Sequence, residues 1–256
     1  MDLISAFFLG LIQGLTEWLP ISSSAHLVFA QNLFNFTTSA EFDIVIMLGT
    51  TSALILYFSK RIFFVLDGIL HFKKESLSFI ALVIVAGFFT ALIGFPFRNI
   101  AKSFFYSPVL VCIFLFFNGL LIYLSSKKQN QNKKFDFFKA ALVGFAQGCA
   151  LIPGISRSGS TISTALLLGI NRIEAAEFSF LLGVPSMFFA SIFEFIQSSN
   201  ALPSLDILFA GFIGAFITGY ISIDFFFNIL KKGKWVYFSY YCIFVSLIFL
   251  FYFLFF

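Results

Sequence analysis

The chain alternates long apolar segments with short polar connections. Six uninterrupted apolar segments have close to the roughly 20 residues that a helix needs to cross a bilayer about 30 Å thick. They predict spanning helices over about 42–59, 79–97, 107–125, 174–196, 206–229 and 236–255. The pattern is therefore typical of an all-α polytopic membrane protein, with a single integral membrane domain over residues 1–256.

Two further apolar regions, about 3–34 and 138–170, are interrupted by polar turns. The first is broken at 19–24 (LPISSS) and the second at 153–156 (PGIS). A helical piece such as 139–152 rises only about 20 Å at 1.5 Å per residue, which is too short to cross. Each region is therefore predicted to be a hairpin of two short helices.

Basic residues in the connections predict the orientation of the chain. Lysines and arginines concentrate at 60–74, 127–139 and 231–234, whereas 197–205 contains none. Because basic connections stay in the cytoplasm, an odd number of crossings must separate 127–139 from 197–205. If 174–196 crosses once, 138–170 must enter and leave on one side. The same count of crossings places 3–34 on the outer side and both termini in the periplasm. Both hairpins are therefore predicted to be re-entrant.

The two broken regions also match each other at a constant offset. The matched positions are Gly10 with Gly144, Gln13 with Gln147, Gly14 with Gly148, Ile21 with Ile155, Ser22 with Ser156, and Ser24 with Ser158. Halves of opposite orientation, repeat one over about 1–125 and repeat two over about 138–256, form an inverted-topology repeat whose hairpin tips are expected to meet near the midplane. Irregular backbone at that depth is tolerated only where it lines a polar cavity.

Composition and charge agree with this interpretation and narrow the function. Hydrophobic residues make up 60% of the chain and charged residues 11%, which is too little charge for the surface of a soluble domain. The net charge of +4 follows from the basic connections and gives no argument for a nucleic-acid partner. Cys112, Cys149 and Cys242 lie singly in apolar segments, so we expect inert thiols rather than metal ligands or a disulfide.

The polar side chains of the two tips suit a phosphate ligand. Placing an arginine inside a membrane costs free energy, so an intramembrane arginine indicates a functional site. The guanidinium of Arg157 offers a fork of donors that matches phosphoryl oxygens. The serine-rich turns precede helices, whose free backbone N–H groups favour anions. The predicted phosphate-binding set is Ser22, Ser24, Gln147, Ser156, Ser158 and Thr161.

The first tip also supplies candidates for catalysis and for a cation. Gln13 and Glu17 are four residues apart and share a helix face, where their oxygens could hold Mg²⁺ or Ca²⁺ bridging a diphosphate. His26 could act as a nucleophile or a general base, and Ser23 is a further candidate. The residues alone leave His26, a serine or a water molecule as the nucleophile, and they leave Glu17 as a purely structural ion-pair partner of Arg157.

Two motifs resemble a known family. Gln13 and Glu17 followed by 19–26 (LPISSSAH), together with 153–161 (PGISRSGST), resemble the undecaprenyl-diphosphatases, also called bacitracin-resistance proteins. The resemblance extends over nearly the whole chain and includes 177–182 (EFSFLL). The chain departs from the family pattern at Gln13, where many members have Glu, and at Ser24, where Thr is often found.

The resemblance implies hydrolysis of undecaprenyl diphosphate to the monophosphate carrier of cell-wall synthesis, with bacitracin resistance as a consequence. It implies a divalent cation, a place in the bacterial inner membrane and a site that opens to the periplasm. It assigns Glu17 to the metal or to the base, Arg157 to the diphosphate clamp, and His26 with a neighbouring serine to the nucleophile system. A transporter or lipid flippase is the alternative, because inverted repeats with broken helices are typical of carriers. Whether a homodimer forms is left open.

Overall fold

The computed structural model describes residues 1–128, 132–198 and 202–255. Within these ranges the chain forms eleven helices and no strand. The helices are α1 (Leu3–Glu17), α2 (Ser23–Phe34), α3 (Ala40–Tyr57), α4 (Ser59–Leu70), α5 (Lys74–Phe104), α6 (Pro108–Ser126), α7 (Phe137–Cys149), α8 (Arg157–Leu167), α9 (Arg172–Gln197), α10 (Leu205–Lys231) and α11 (Val236–Phe255).

Six of these helices are long and apolar enough to cross a membrane, namely α3, α5, α6, α9, α10 and α11. They coincide with the six predicted spans, so the all-α polytopic class is confirmed. Helices α5 and α10 are longer than predicted, with 31 and 27 residues. Helix α4 was not predicted, because its 12 residues lie within a basic connection and are too few to span.

The two interrupted regions fold as the predicted pairs of short helices, α1 with α2 and α7 with α8. Helices α1 and α7 have 15 and 13 residues, or about 20 Å each at 1.5 Å per residue. The same capping plan recurs in both pairs. Asp2 and Asp136 cap the first helices, and Ser22 and Ser156 cap the second ones. A side-chain oxygen at each of these positions accepts a backbone N–H that the helix itself leaves free.

Each hairpin packs against a long helix of the other half of the chain. Helix α1 lies along α10, and helix α7 lies along α5. These approaches are so close that only glycine fits: a Cβ atom at Gly10 would lie 2.2 Å from the carbonyl oxygen of Gly211, and one at Gly144 would lie 2.1 Å from that of Ala86. This reciprocal pairing is what an inverted repeat requires, while the repeat bounds and the orientation in the membrane stay predictions.

The main apolar core lies around the hairpin tips. It includes Trp18, which is fully buried and packs on Phe180 of α9 with ring centres 5.3 Å apart. Cys112 and Cys242 are buried, Cys149 is partly buried, and all three are free thiols in the structure. The tips are therefore held in a dense, largely apolar surrounding, in which polar contacts are strengthened.

Candidate active site

The tips of the two hairpins, residues 18–24 and 150–158, lie against each other. The backbone N–H of Gly154 donates to Ser24 Oγ at 3.4 Å, and Ser158 Oγ donates to the carbonyl oxygen of Leu19 at 3.1 Å. The predicted contact between the tips is thus present in the structure. Their depth in the membrane stays a prediction.

Asn118 of α6 joins the two tips from a third side. Its Nδ2 donates to the carbonyl oxygen of Pro20 at 3.0 Å, and its Oδ1 accepts from the backbone N–H of Ser156 at 3.2 Å. The side chain is only 2% exposed. Sequence reasoning missed Asn118, although an amide within an apolar spanning segment is itself a signal of a polar partner.

Arg157 and Glu17 form an ion pair across the two tips. Arg157 Nη2 donates to Glu17 Oε1 at 3.1 Å, and the two side chains are only 14% and 12% exposed. The guanidinium carbon lies 4.9 Å from the ring centre of Trp18, within cation–π range. Arg157 Nη1 is buried and has no hydrogen-bond partner among the described residues. One nitrogen of the guanidinium is therefore committed to Glu17, and the other is a buried donor without a partner among the described residues.

The position of the guanidinium depends on a glycine of α9. A Cβ atom at Gly183 would lie 2.4 Å from Arg157 Nη1, which is much closer than van der Waals contact. Gly183 therefore provides the space that Arg157 occupies.

The second carboxylate oxygen of Glu17 faces the first hairpin. Glu17 Oε2 accepts from Gln13 Nε2 at 3.1 Å and from Ser23 Oγ at 2.5 Å. A serine hydroxyl that donates to a carboxylate can act as a nucleophile with that carboxylate as its base. Gln13, Glu17, Ser23 and Arg157, all predicted site residues, therefore form one connected group.

His26 makes its hydrogen bonds beside this group. Its Nδ1 lies 2.8 Å from the carbonyl oxygen of Ser22, and its Nε2 lies 2.8 Å from the hydroxyl of Tyr241. A carbonyl can only accept, so Nδ1 carries a proton, and Nε2 of the neutral ring accepts from Tyr241. The imidazole also stacks on Tyr241, with ring centres 5.7 Å apart. Tyr241 gave no signal in the sequence, because α11 contains many aromatic residues.

The predicted serines line the turns before α2 and α8. Ser22 Oγ lies 3.0 Å from Ser24 Oγ, and Ser156 Oγ lies 3.1 Å from Ser158 Oγ, so equivalent positions form equivalent pairs. Ser22 has a φ of 68°, a backbone conformation that a serine rarely adopts. Such conformations cluster at functional sites, where the surrounding structure enforces them.

Gln147 and Thr161 make no side-chain hydrogen bond to Glu17, Ser23 or the guanidinium of Arg157, although Thr161 Oγ1 donates to the carbonyl oxygen of Arg157 at 2.7 Å. Thr161 Oγ1 lies 2.6 Å from Ser179 Oγ and ties α8 to α9. Gln147 Nε2 donates to Thr90 Oγ1 at 3.2 Å and to Ser186 Oγ at 2.9 Å. Its Oε1 is buried, and within the described ranges it has no hydrogen-bond partner.

The residues at the tips fit a divalent cation only if a ligand shares it. No group of three or more His, Cys, Asp or Glu side chains that could hold a metal ion occurs in the described part of the chain. At the tips, Glu17 offers a carboxylate that already accepts three hydrogen bonds, and Gln13 offers an amide oxygen. Mg²⁺ is commonly bound by one or two carboxylates together with substrate phosphates and water. This donor set fits that mode and does not fit a site built by the protein alone.

Comparison with known proteins gives a consistent result. The family model described as bacitracin resistance protein BacA matches residues 6–248. A protein of Carboxydothermus hydrogenoformans named undecaprenyl-diphosphatase is 39% identical over 251 residues, which cover 94% of each chain. A protein of the same name from Halothermothrix orenii is 41% identical over 249 residues, which cover 94% of this chain and 95% of that protein. Another from Treponema denticola is also 41% identical, over 256 residues that cover 95% of this chain and 94% of that protein.

Proposed function

The chain belongs to the bacitracin resistance protein BacA family, and from this premise we propose that it hydrolyses undecaprenyl diphosphate to undecaprenyl phosphate and inorganic phosphate. Relatives named undecaprenyl-diphosphatase cover nearly the whole chain and support this activity. The observation that carries the proposal is the connected group at the tips. A guanidinium with one unpartnered nitrogen lies beside a carboxylate that accepts a serine hydroxyl.

Arg157 is proposed to hold the terminal phosphate. Its unpartnered Nη1 can donate to a phosphoryl oxygen while Nη2 stays on Glu17. The helices that begin at Ser23 and Arg157 add backbone N–H groups and the positive ends of their dipoles. Phosphoryl transfer depends mainly on such positioning and charge stabilisation.

Ser23 is proposed as the nucleophile and Glu17 as its base. Ser23 Oγ attacks the terminal phosphorus as its proton passes to Glu17 Oε2, the acceptor at 2.5 Å. The bond from that phosphorus to the bridging oxygen breaks, and undecaprenyl phosphate leaves. Water then attacks the phosphorus of the phosphoserine, and the bond from that phosphorus to Ser23 Oγ breaks. Ser23 Oγ recovers its proton from Glu17, and inorganic phosphate leaves with both protons of the water.

His26 is proposed to position the serine turn. Its Nδ1–H holds the carbonyl of Ser22, next to the nucleophile, while Tyr241 fixes the other ring nitrogen. An imidazole engaged on both sides is favoured as a positioning group over a direct nucleophile.

Glu17 and the side-chain oxygen of Gln13 are proposed as the protein groups that would hold a divalent cation, Mg²⁺ or Ca²⁺, when the diphosphate is bound. When bound, it would offset the charge of the diphosphate and polarise a phosphoryl oxygen. Because Gln13 brings no charge, we expect weak cation binding in the absence of the lipid.

The protein is a multi-pass membrane protein, and we place it in the bacterial inner membrane. The basic connections at 60–74, 127–139 and 231–234 support a cytoplasmic side opposite to both termini. With this orientation the first hairpin enters from the periplasm, and the site opens toward that side.

The proposal is tested by phosphate release from a short-chain polyprenyl diphosphate, using purified protein with Mg²⁺, Ca²⁺ or EDTA. We expect release that depends on the cation and is lost in Arg157→Ala. No release from folded, lipid-supplemented protein would refute the phosphatase. Transfer of a polyprenyl phosphate across proteoliposomes by such an inactive protein would then identify the carrier.

A further inference from the structure

Arg98 is an arginine of the spanning helix α5, and the proposed reaction does not use it. Its guanidinium carbon lies 4.7 Å from the ring centre of Phe95 on its own helix, α5, and 4.7 Å from that of Phe193 on α9. Its Nη1 is buried and makes no hydrogen bond to any residue that the structure describes. A cation held between two rings, with an unused buried donor, is unexplained by packing alone.

Arg98 lies close to the second hairpin tip. One turn before it, a Cβ atom at Gly94 would be 2.7 Å from Leu151 Cδ1, so α5 touches the tip at that level. Arg157 and Arg98 also share a neighbour, since α9 contacts the first at Gly183 and the second at Phe193. These ten residues of α9 correspond to about 15 Å along the helix axis.

Polar groups occupy the interval between the two arginines. Ser186 of α9, three residues beyond Gly183, accepts a hydrogen bond from Gln147, which also donates to Thr90 of α5. Thr90 lies two turns before Arg98 on α5. A cluster of three polar side chains, one each from α5, α7 and α9, therefore lies between the level of Gly183 and that of Arg98.

The nearest ion pair leaves the charge of Arg98 itself unpaired. Lys102, one turn further along α5, forms an ion pair with Glu194, the residue after Phe193, at 2.8 Å. Glu194 is thus engaged by Lys102, and it also lies close enough to Asp43 to interact with it electrostatically. Among the described residues no carboxylate forms an ion pair with Arg98. Arg98 lies toward the C-terminal end of α5, opposite to the basic connection 60–74 at its other end.

We propose that Arg98, clamped by Phe95 and Phe193, is a second phosphate-binding residue between α5 and α9, on the route to Arg157. The inference rests on the proposed function for the source of the phosphate. That source is either the diphosphate headgroup as it enters or the inorganic phosphate as it leaves.

The test compares Arg98→Gln with Arg61→Gln in phosphate-release kinetics. Arg61 is a matched control, because its guanidinium also lies near two phenylalanine rings, Phe64 at 5.6 Å and Phe79 at 5.7 Å, at the opposite end of α5. We expect Arg98→Gln to raise the KM for the lipid or the Ki for inorganic phosphate about tenfold, with kcat within about twofold of the original. Arg61→Gln is expected to change none of these constants.

The two kinetic constants distinguish the sources of phosphate. A raised KM identifies the entering headgroup, and a raised Ki with an unchanged KM identifies the leaving phosphate. Unchanged KM and Ki in a folded Arg98→Gln protein would overturn the proposal, as would the same change in Arg61→Gln. Arg98→Lys keeps the charge without the fork of donors, so its KM and Ki should lie between those of the original protein and those of Arg98→Gln. Thermal unfolding of each variant shows whether it is folded.

A binding measurement separates this inference from the proposed function. Equilibrium binding of a short-chain polyprenyl diphosphate to Ser23→Ala protein needs no turnover, and we expect Arg98→Gln to weaken it if the headgroup is the ligand. Inorganic phosphate, measured in the same way, tests the other source. Absence of hydrolysis by the original protein would refute the phosphatase, whereas unchanged binding of both ligands would refute the role of Arg98.

Discussion

Replacing Gly183 by alanine should inactivate the site without unfolding the protein. The added Cβ atom would lie 2.4 Å from Arg157 Nη1 and 3.1 Å from its Cζ, whereas ordinary van der Waals contact begins at 3.4 Å. The guanidinium must therefore move by about 1 Å, and a displacement of that size in a positioned group costs roughly 100-fold in rate. This corresponds to a loss of about 2.7 kcal/mol in transition-state stabilisation.

Stability should respond differently from activity. The atoms that must move belong to the flexible end of a side chain, so the backbone of α9 need not shift. Alanine within a helix is also favoured over glycine by roughly 0.5–1 kcal/mol. We therefore expect the Tm of Gly183→Ala to equal or slightly exceed that of the original protein.

The assay is phosphate release with kcat/KM and Tm measured on the same preparation. Gly87→Ala is a matched control in α5, because, apart from the adjoining residues and backbone of its own helix, no described atom lies within 4 Å of a Cβ atom built there. It should keep its full activity. Wild-type kcat/KM in Gly183→Ala would show that activity does not depend on the position of this guanidinium, and would refute the reasoning.

Three further substitutions test other parts of the site. Glu17→Gln keeps the size of the side chain but removes the base, so turnover should fall at least about 100-fold with lipid binding retained; an active variant would contradict the assignment. Tyr241→Phe removes the hydrogen bond to His26 and keeps the stacked ring, so kcat should fall by less than about tenfold; a loss as large as that of Ser23→Ala would make Tyr241 part of the chemistry. Asn118→Leu leaves the backbone N–H of Ser156 without its partner, at a cost of roughly 1–3 kcal/mol, and leaves the carbonyl of Pro20 only the weak thiol donor of Cys242. Thermal unfolding in detergent should therefore occur at a clearly lower temperature; an unchanged Tm would contradict the bridging role of Asn118.

The spans and the serine turns could be predicted because they depend on local sequence. Apolar segments near membrane length identify spanning helices wherever they pack, and a serine before a new helix accepts the same backbone N–H groups in any fold. Ser22 and Ser156 are therefore caps in the structure as the repeated pattern suggested. The contact of Glu17 with Arg157 also followed, because two inverted hairpins bring their tips together.

The remaining site residues depend on packing between distant elements. Asn118 and Tyr241 lie on α6 and α11, and their roles appear only once those helices are placed beside the tips. Gly183 was one of many glycines in the sequence, and the space that it leaves for Arg157 is a property of the α8–α9 contact. Helix α4 was not predicted, because a 12-residue segment within a basic connection resembles a loop in its sequence.

Phosphate release by Ser23→Ala, compared with Ser24→Ala, tests the central claim most directly. The two serines are neighbours in one turn, but only Ser23 has a hydrogen bond to Glu17 among those that the structure describes. The account predicts that the original protein releases one phosphate for each polyprenyl phosphate formed. It predicts a loss of at least about 1,000-fold in Ser23→Ala and of no more than about tenfold in Ser24→Ala. Wild-type turnover in Ser23→Ala, or equal losses in the two variants, would contradict it.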